Sequence, residues 1–322
     1  MILEANTENI NKAAEAIKSG EIIAFPTETV YGLGADGLNP TAVAKIFEAK
    51  NRPSFNPLIL HIASAENLYE LVDIKSRDVE KLIAAFWPGP LTLVLPKKEI
   101  VPDIVTAGNP TVAVRMPKHP VALDLIKASQ TPIAAPSANT FGFLSPTTAA
   151  HVEKQLGDKV NIILDGGKSD IGVESTIIEI TEKEIYLLRP GGIAIEQIEK
   201  ICNTEIVFKQ TDSNNPNAPG QLLQHYAPKV PIKFLSEINE TDIKNKKLAC
   251  LFFKANNTNL KFKRIEILSP SGNFHEAAAN LFHHLHLLEV LDIDLILVEP
   301  VEEKGLGIAI MDRLRKATNR YR

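Results

Sequence analysis

Two basic residues, Lys50 and Arg52, are separated by one residue and stand just before Pro53. In an extended segment their side chains would point the same way, because side chains alternate along such a chain. Upstream, residues 26–34 contain three consecutive oxygen-bearing side chains and two glycines, which allow tight backbone near a ligand. Two cations beside such a turn suit a polyanion such as a nucleotide phosphate chain. Composition alone favours the alternative, a capped loop with a solvated cation pair.

Ser137 and Asn139 form a second pair with the same spacing, after a short apolar run, so both can face one site. Arg115 lies in the apolar run 111–116 and shares a strand face with Thr111. An arginine in an apolar strand is costly to bury without an anion. That anion is either a substrate carboxylate or an internal aspartate or glutamate, and the residue pattern leaves both open.

Short strands and helices must position these residues. Strands are predicted at residues 22–25, 58–62, 91–95, 111–116 and 161–165, with a hairpin at 175–180 and 184–189. Helices are predicted at residues 7–19 (capped by Thr7 and ended by Gly20), from Asn39 and Pro40 to before Pro53, and at 78–86, 121–129 and 147–156. This alternation indicates a mixed α/β sheet.

The length, composition and net charge of the chain limit the class of protein to which it can belong. Its 322 residues suggest two domains, and 44% hydrophobic with 23% charged residues suit a globular core. A net charge of -4 argues against a protein whose main task is to coat nucleic acid. The two cysteines, Cys202 and Cys250, are expected to be reduced. With no leader-like or membrane-spanning segment, we expect a cytoplasmic protein.

The second half changes character at residues 209–220, a polar stretch rich in Asn, Pro and Gly that is typical of a linker. Beyond it, strands are predicted at 231–235, 247–253 and 293–298, and a helix at 275–288. These elements predict a small second α/β domain. His283, His284 and His286 do not predict a metal site, because no carboxylate or cysteine is spaced to complete one.

The two spaced pairs and the turn at 26–33 resemble the YrdC-like domain of threonylcarbamoyl-AMP synthases. Further fragments match in register across residues 8–200: Asn56-Pro57-Leu58, Trp87-Pro88-Gly89-Pro90-Leu91-Thr92, Val114-Arg115-Met116-Pro117, Glu174-Ser175-Thr176 and Leu188-Arg189-Pro190-Gly191. The tail is similar to the long form of that family, through His225-Tyr226-Ala227-Pro228 and residues 305–314. The motifs are weak singly and specific in combination.

The resemblance implies a fold and a domain division. The expected fold is α/β: a YrdC-like domain with a twisted mixed sheet and flanking helices, plus a smaller C-terminal α/β (Rossmann-like) domain. The implied catalytic domain spans residues 7–200, the linker 201–230 and the C-terminal domain 231–322. His225 and Tyr226 match a linker motif that approaches the nucleotide, which suggests a lid anchored by the second domain.

The resemblance also implies a reaction, in which L-threonine, bicarbonate and ATP give L-threonylcarbamoyl-adenylate and pyrophosphate. Threonine is then expected at Thr29, His61, Arg115, Ala135 (through its backbone) and Ser175. ATP is expected at Lys50, Arg52, Asn56, Thr111, Ser137, Asn139, Ser145, Arg189, His225 and Tyr226. Lys50 and Arg52 would be the catalytic cations, offsetting phosphate charge as pyrophosphate leaves. Mg²⁺ is expected on the ATP phosphates, without a protein ligand.

Partners and alternatives follow from the same resemblance. The product would serve a downstream tRNA-modifying threonylcarbamoyl transferase complex, with at most weak direct contact to tRNA and no membrane partner. One alternative is an RNA-binding or ribosome-assembly protein with a YrdC-like domain, against which the acidic net charge weighs. The other is a carbamoyl-adenylate-forming carbamoyltransferase, whose family members also carry zinc-finger cysteines that this chain lacks.

Overall fold

Residues 1–209, 216–255, 258–289 and 292–322 are described by a computed structural model. Within these ranges the chain forms two sheets, one of 11 strands and one of 4. The larger sheet mixes parallel and antiparallel pairs, which confirms the predicted fold class, and the smaller one belongs to the C-terminal α/β part. No helix in the described ranges is long and apolar enough to cross a membrane.

The larger sheet has the strand order β1-β8-β2-β3-β7-β4-β6-β5-β9-β10-β11. Its strands are β1 Ile2–Glu4, β2 Ile23–Phe25, β3 Gly32–Asp36, β4 Ile59–His61, β5 Leu91–Pro96, β6 Thr111–Arg115, β7 Ile133–Ala134, β8 Ile163–Asp165, β9 Thr176–Ile180, β10 Ile185–Arg189 and β11 Val207–Phe208. The predicted hairpin is confirmed, since β9 and β10 pair antiparallel. Parallel pairing of β4 with β6 sets His61 beside Arg115.

Eight helices connect these strands or flank the sheet. They are α1 Thr7–Lys18, α2 Pro40–Lys50, α3 Leu68–Leu71, α4 Asp78–Phe86, α5 Asp103–Thr106, α6 Pro120–Ser129, α7 Ala149–Leu156 and α8 Ile195–Cys202. The cap of α1 is Asn6 and not Thr7, because the Asn6 side chain accepts the hydrogen bond from the amide of Asn9 at 3.0 Å. Asparagine outranks threonine as an N-cap, and Thr7 becomes the first helical residue.

The end of α2 corrects the prediction that Lys50 and Arg52 lie in an extended segment. Asn39 caps this helix as predicted, but the helix continues to Lys50. Asn51 then adopts a left-handed conformation with φ 51°. This single residue ends the helix and turns the chain, so Lys50 and Arg52 leave it in different directions. The spacing of Lys50 and Arg52 alone therefore did not determine whether their side chains point the same way.

Gly32 and Gly34 lie in β3 and not in a turn, and of the two only Gly32 lines the cavity described below, as far as the described residues show. β3 pairs antiparallel with β2. A Cβ atom on Gly34 would lie 2.7 Å from Ile133 Cγ2 and 2.8 Å from Phe25 Cε1. Gly34 is thus required by the close approach of neighbouring side chains inside the sheet.

The smaller sheet is wholly parallel, in the order β12-β15-β13-β14. Its elements are β12 Ile232–Phe234, α9 Glu240–Ile243, β13 Leu248–Phe252, β14 Arg264–Ile267, α10 Phe274–Leu288, β15 Leu295–Val298 and α11 Leu306–Thr318, with 3-10 turns at Leu235–Glu237 and Asn319–Tyr321. The strands predicted here are confirmed as β12, β13 and β15. Neither β14, an edge strand that begins with exposed residues, nor α11 was predicted.

One apolar cluster joins the two parts of the chain. Val30, Leu144 and Val173 of the first part pack in the same cluster as Tyr226 and Ile310. The second sheet and its helices therefore dock directly against the elements that carry the candidate site.

The predicted linker is only partly within the described residues, because residues 210–215 lie outside them. β11, Val207–Phe208, falls inside the predicted linker of 201–230 but pairs with β10 of the larger sheet. The predicted domain limits of 7–200, 201–230 and 231–322 stay a prediction.

Candidate active site

A cavity opens between the larger sheet and the segment that leads to the second domain. The sequence-predicted residues that line it are Thr29, Arg52, His61, Arg115, Ala135, Ser137, Ser175, Arg189, His225 and Tyr226. Residues from both halves of the sequence therefore meet at one place.

Arg115 is buried at one side of the cavity, and its internal anion is Glu28. The two side chains form an ion pair at 2.7 Å, both almost fully buried. Arg115 also donates to Thr29 Oγ1 at 2.9 Å and to the Gly89 carbonyl at 3.1 Å. Two hydrogen bonds and one ion-pair contact leave at least two of the five guanidinium N–H groups for a ligand. The alternatives of internal acid and substrate carboxylate are thus compatible.

His61 and Ser175 lie on the same side. Burial, with help from the charge of Arg115, lowers the pKa of His61 to about 3, so its imidazole is neutral at physiological pH. The Ser175 hydroxyl lies 2.7 Å from the hydroxyl of Thr92. The Ala135 amide donates to the Ile59 carbonyl at 2.9 Å, so a backbone contact from Ala135 to a ligand would use its carbonyl oxygen. This side offers a fixed cation and small neutral polar groups.

Lys50 lies beneath the cavity and not on its wall. It is almost fully buried, and its Nζ donates to the carbonyls of Ser137 at 2.6 Å and Asn139 at 2.5 Å. Burial and the nearby charge of Arg52 lower the pKa of Lys50 well below its usual range. Lys50 therefore fixes the Ser137–Asn139 turn and adds positive charge below it.

Arg52 lines the cavity and is bound only by neutral acceptors. It donates to the Asn56 carbonyl at 3.1 Å, to Asn56 Oδ1 at 2.7 Å and to the Pro57 carbonyl at 2.8 Å. Its guanidinium also lies 5.8 Å from the centre of the Phe141 ring. Burial lowers the pKa of Arg52 to about 9, which measures how poorly its charge is compensated.

Arg189 is the third buried cation. It donates to the carbonyl of Ser175 at 2.9 Å, to its hydroxyl at 3.1 Å and to the Pro219 carbonyl at 3.3 Å. Among the described residues, no carboxylate forms an ion pair within 4.0 Å with Lys50, Arg52 or Arg189. Three buried cations without acidic partners make a site for an anion of several charges.

The later part of the predicted linker covers the cavity. Pro219, Gly220, His225 and Tyr226 all line it. Gly220 has φ +81°, and a Cβ atom there would lie 2.3 Å from the Tyr226 hydroxyl, so a glycine is needed. Tyr226 itself is left-handed with φ 63°. This part of the predicted linker is a packed wall of the site and not a plain spacer.

The Tyr226 and His225 rings are held on several sides. His225 packs edge-on against Phe141, and Tyr226 lies 5.7 Å from Phe282 of α10, measured between ring centres. Burial, with the charges of Arg52 and Lys50, lowers the pKa of His225 well below its usual range. His225 is therefore a neutral group facing cations, with its Nδ1 atom buried and unpartnered among the described residues.

Three predicted ATP ligands support the wall from behind. Asn56 binds Arg52, as described above. Asn139 accepts a hydrogen bond from the Ser137 hydroxyl at 2.5 Å, and the Ser145 hydroxyl donates to Glu174 at 2.5 Å. All three, and Lys50, lie outside the lining, so in this conformation they act through their neighbours.

Thr111 is not brought to the cavity. It starts β6, whereas Arg115 ends that strand, and it lines a separate depression with Pro96 and Tyr186. Positions 111 and 115 are four residue steps apart, which is about 13 Å along the strand. Thr111, expected to bind ATP, therefore lies away from the cavity that Arg115 lines.

Three charged residues were given no role by the sequence reasoning: Glu28, Glu174 and Arg313. Glu28 and Glu174 stand inside matched motifs, and the burial expected beside Arg115 was a signal for the first. Arg313 comes from α11 and pairs with Glu174 at 2.9 Å. Arg313 also stands inside a matched stretch, residues 305–314, but α11 was not predicted and that match gave Arg313 no role at the site.

The histidines on α10 form part of the contact between the two parts of the chain. His286 stacks on His151 of α7 with ring centres 3.9 Å apart, and it hydrogen-bonds the Ser145 carbonyl at 3.1 Å. Among the described residues, no group of three or more His, Cys, Asp or Glu could hold a metal ion.

Comparisons with known proteins cover both parts of the chain. A family model described as "Telomere recombination" matches residues 15–191, and one described as "Threonylcarbamoyl-AMP synthase, C-terminal domain" matches residues 193–319. The threonylcarbamoyl-AMP synthase of Pyrococcus abyssi is 46% identical, across 96% of this chain and 94% of its own length. That of Bacillus subtilis is 41% identical, across 98% and 94%. A crystal structure of P. abyssi Sua5 complexed with L-threonine matches with a TM-score of 0.91 and 44% identity, across 99% of this chain and 98% of that one.

Proposed function

Since this chain belongs to the threonylcarbamoyl-AMP synthase family, we propose that it joins L-threonine, bicarbonate and ATP into L-threonylcarbamoyl-adenylate, releasing pyrophosphate and water. The observation that carries this proposal is the pairing of two different subsites in one cavity. One holds Arg115 among small polar groups, and the other has Arg52 and Arg189 in its lining and Lys50 beneath them, with no acidic partner for these three among the described residues.

The reaction balances without a protein nucleophile. The threonine amine attacks bicarbonate carbon, water leaves, and an N-carboxylate forms. An oxygen of that carboxylate attacks the α-phosphorus of ATP, and the bond to the leaving pyrophosphate breaks. Both partners of the second step are anions, so the work of the enzyme is to neutralise charge and align the reacting atoms.

The threonine subsite fits an amino acid of this size. The two free N–H groups of Arg115 would bind the threonine carboxylate. Thr29 and Ser175 present hydroxyl groups, and neutral His61 presents an imidazole without adding charge. A neutral histidine suits this position, because a third charge beside Glu28 and Arg115 would unbalance a buried pair.

The nucleotide subsite would place the phosphates among Arg52, Arg189 and Ser137. Lys50, one layer below, would stabilise the same charge through the backbone turn that it holds. The adjacent His225 and Tyr226 would shield the adenylate from water, which would otherwise hydrolyse it.

Mg²⁺ is proposed to arrive with ATP, held by phosphate oxygens and water, and to offset part of their charge. Neither Glu174 in the lining nor Glu28 beside it is available as a ligand, since Glu28 is paired with Arg115 and Glu174 with Arg313. The threonylcarbamoyl group is then proposed to pass to tRNA adenosine through a separate transferase complex.

The test is threonine- and bicarbonate-dependent pyrophosphate release, with the adenylate identified by mass spectrometry. Serine and glycine replace threonine as matched controls, and a bicarbonate-free reaction tests the carboxylation step. Release that depends on threonine and bicarbonate supports the proposal. Equal release with every amino acid, or with none, refutes it.

A further inference from the structure

Arg313 brings a charge from the second part of the chain into the wall of the cavity. It lies on α11, and its side chain is completely buried. Its Nε donates to Glu174 Oε2 at 2.9 Å, and its Nη1 donates to the Pro190 carbonyl at 2.8 Å and to Asp312 at 2.7 Å. Glu174 lines the cavity, whereas Arg313 does not.

Glu174 is the only acid in the lining, as far as the described residues show. Its two oxygens are engaged, one by Arg313 and the other by the Ser145 hydroxyl. Burial alone would raise the pKa of Glu174, but the charges of Arg313 and Arg189 hold it below the usual range, so it is ionised. An ionised carboxylate in a cavity proposed to bind phosphates needs a partner of its own.

We propose that Arg313 is a positioning residue that occupies Glu174 and thereby leaves Arg189 available for the nucleotide phosphates. This inference rests on the proposed function. Arg189 and Glu174 lie close enough to influence each other's charge, yet Arg189 binds Ser175 and Pro219 instead.

The charges of the site support this assignment. Arg115 cancels Glu28, and Arg313 with Lys316 cancels Glu174 with Asp312. The cations Lys50, Arg52 and Arg189 remain, as described above. Without Arg313, the carboxylate of Glu174 would be buried and unpaired, and pairing with Arg189 would relieve that cost. The phosphates would then meet one cation fewer.

Arg313 also contacts the segment that covers the cavity, through Tyr226. Its guanidinium carbon lies 4.9 Å from the centre of the Tyr226 ring, within the range of a cation–π contact. The second part of the chain thus reaches the site through one side chain that touches both Glu174 and the cover. Docking of α11 and the charge of the nucleotide subsite are linked in this arrangement.

Arg313→Gln and the double variant Arg313→Gln/Glu174→Gln test the inference. We expect Arg313→Gln to weaken ATP binding about tenfold or more, and threonine binding by less than about twofold, as loss of one charge contact to a phosphate would. The double variant removes the unpaired acid, so ATP affinity should return to within about threefold of wild type. Arg315→Gln on the same helix is the control, because Arg315 is exposed and pairs only with surface Glu303.

Calorimetric titration of ATP and of threonine separately measures these affinities, and thermal unfolding reports the fold of each variant. If Arg313→Gln binds ATP as wild type does, or if the double variant binds ATP as weakly as the single one, Arg313 only clamps the two parts together and the inference is wrong. Should Arg313→Gln not fold, the double variant decides: strong ATP binding supports the inference, and weak binding overturns it. Failure of the proposed function is seen separately, as absence of adenylate from the wild-type protein.

Discussion

Replacing Arg52 by methionine should separate the activity of the site from the stability of the fold. A pKa lowered from 12.5 to about 9 corresponds to about 5 kcal/mol against the charged side chain in the folded protein. The three hydrogen bonds of Arg52 oppose this cost, at about 1.5 kcal/mol or more each for a charged donor. The two effects oppose each other, so Arg52→Met should destabilise the fold less than the loss of a paired arginine does.

Turnover should respond very differently. Arg52 is proposed to stabilise the charge of the departing pyrophosphate, and loss of such a contact costs about a hundredfold or more. Arg115→Met is the matched comparison for stability, because it strands the buried carboxylate of Glu28 and should cost about 3–5 kcal/mol. Arg52 would thus contribute mainly to turnover, and Arg115 to the stability of the fold as well.

Denaturant unfolding and pyrophosphate release measure the two quantities on the same preparations. A loss of stability for Arg52→Met equal to that of Arg115→Met would show that Arg52 has a compensating anion, and the charge assignment would be wrong. Wild-type turnover in folded Arg52→Met would remove Arg52 from the proposed mechanism.

Three further outcomes follow. Arg115→Lys should raise the threonine KM by about tenfold or more and the ATP KM far less in steady-state assays, because lysine cannot bind a carboxylate bidentately; equal increases would contradict the assignment. His225→Ala with Tyr226→Ala should lower the adenylate formed per ATP consumed, read by mass spectrometry, and an unchanged ratio would show that the cover excludes no water. Burial and the charges of neighbouring histidines lower the pKa of His151 to about 3, below its unfolded value of about 6.5. The neutral form of His151 therefore stabilises the fold, and this contribution is lost as the pH falls from about 6.5 to about 3. At pH 5 the loss is about 2 kcal/mol, so His151→Gln should lose that much less stability than wild type between pH 7 and pH 5 in denaturant titrations; identical pH dependence would refute it.

Local patterns predicted the elements well where one face or one cap decides the outcome. The helix at Asp78–Phe86 has the predicted bounds, and Asn39 caps α2 as expected. The relation of Lys50 to Arg52 was wrong because it depends on one left-handed residue, Asn51, whose conformation no periodicity reveals. The error matters for chemistry, since it moves Lys50 from the wall of the cavity to its floor.

The sequence predicted which residues line the candidate site but not which of its charged side chains pair with each other. The matched motifs predicted ten residues that line the cavity, but they did not predict the partner of Arg115. The structure shows that this partner is Glu28. Arg313 pairs with Glu174 across 139 positions of sequence, and no spacing rule reaches that far. The strand prediction put Thr111 and Arg115 on one face, but it could not show that the cavity lies at the Arg115 end of that strand.

The ability of this site to bind a polyanion depends on pairing and not on composition. The chain has a net charge of -4 and more acids than bases, yet its cavity is cationic. It is cationic because the two acids described beside it, Glu28 and Glu174, are each neutralised by an ion pair with an arginine of the protein. One of those arginines, Arg313, belongs to the second part of the chain. In the proposed mechanism, both parts would set the charge that a nucleotide meets, and the second part would have a physical role in the chemistry of the first.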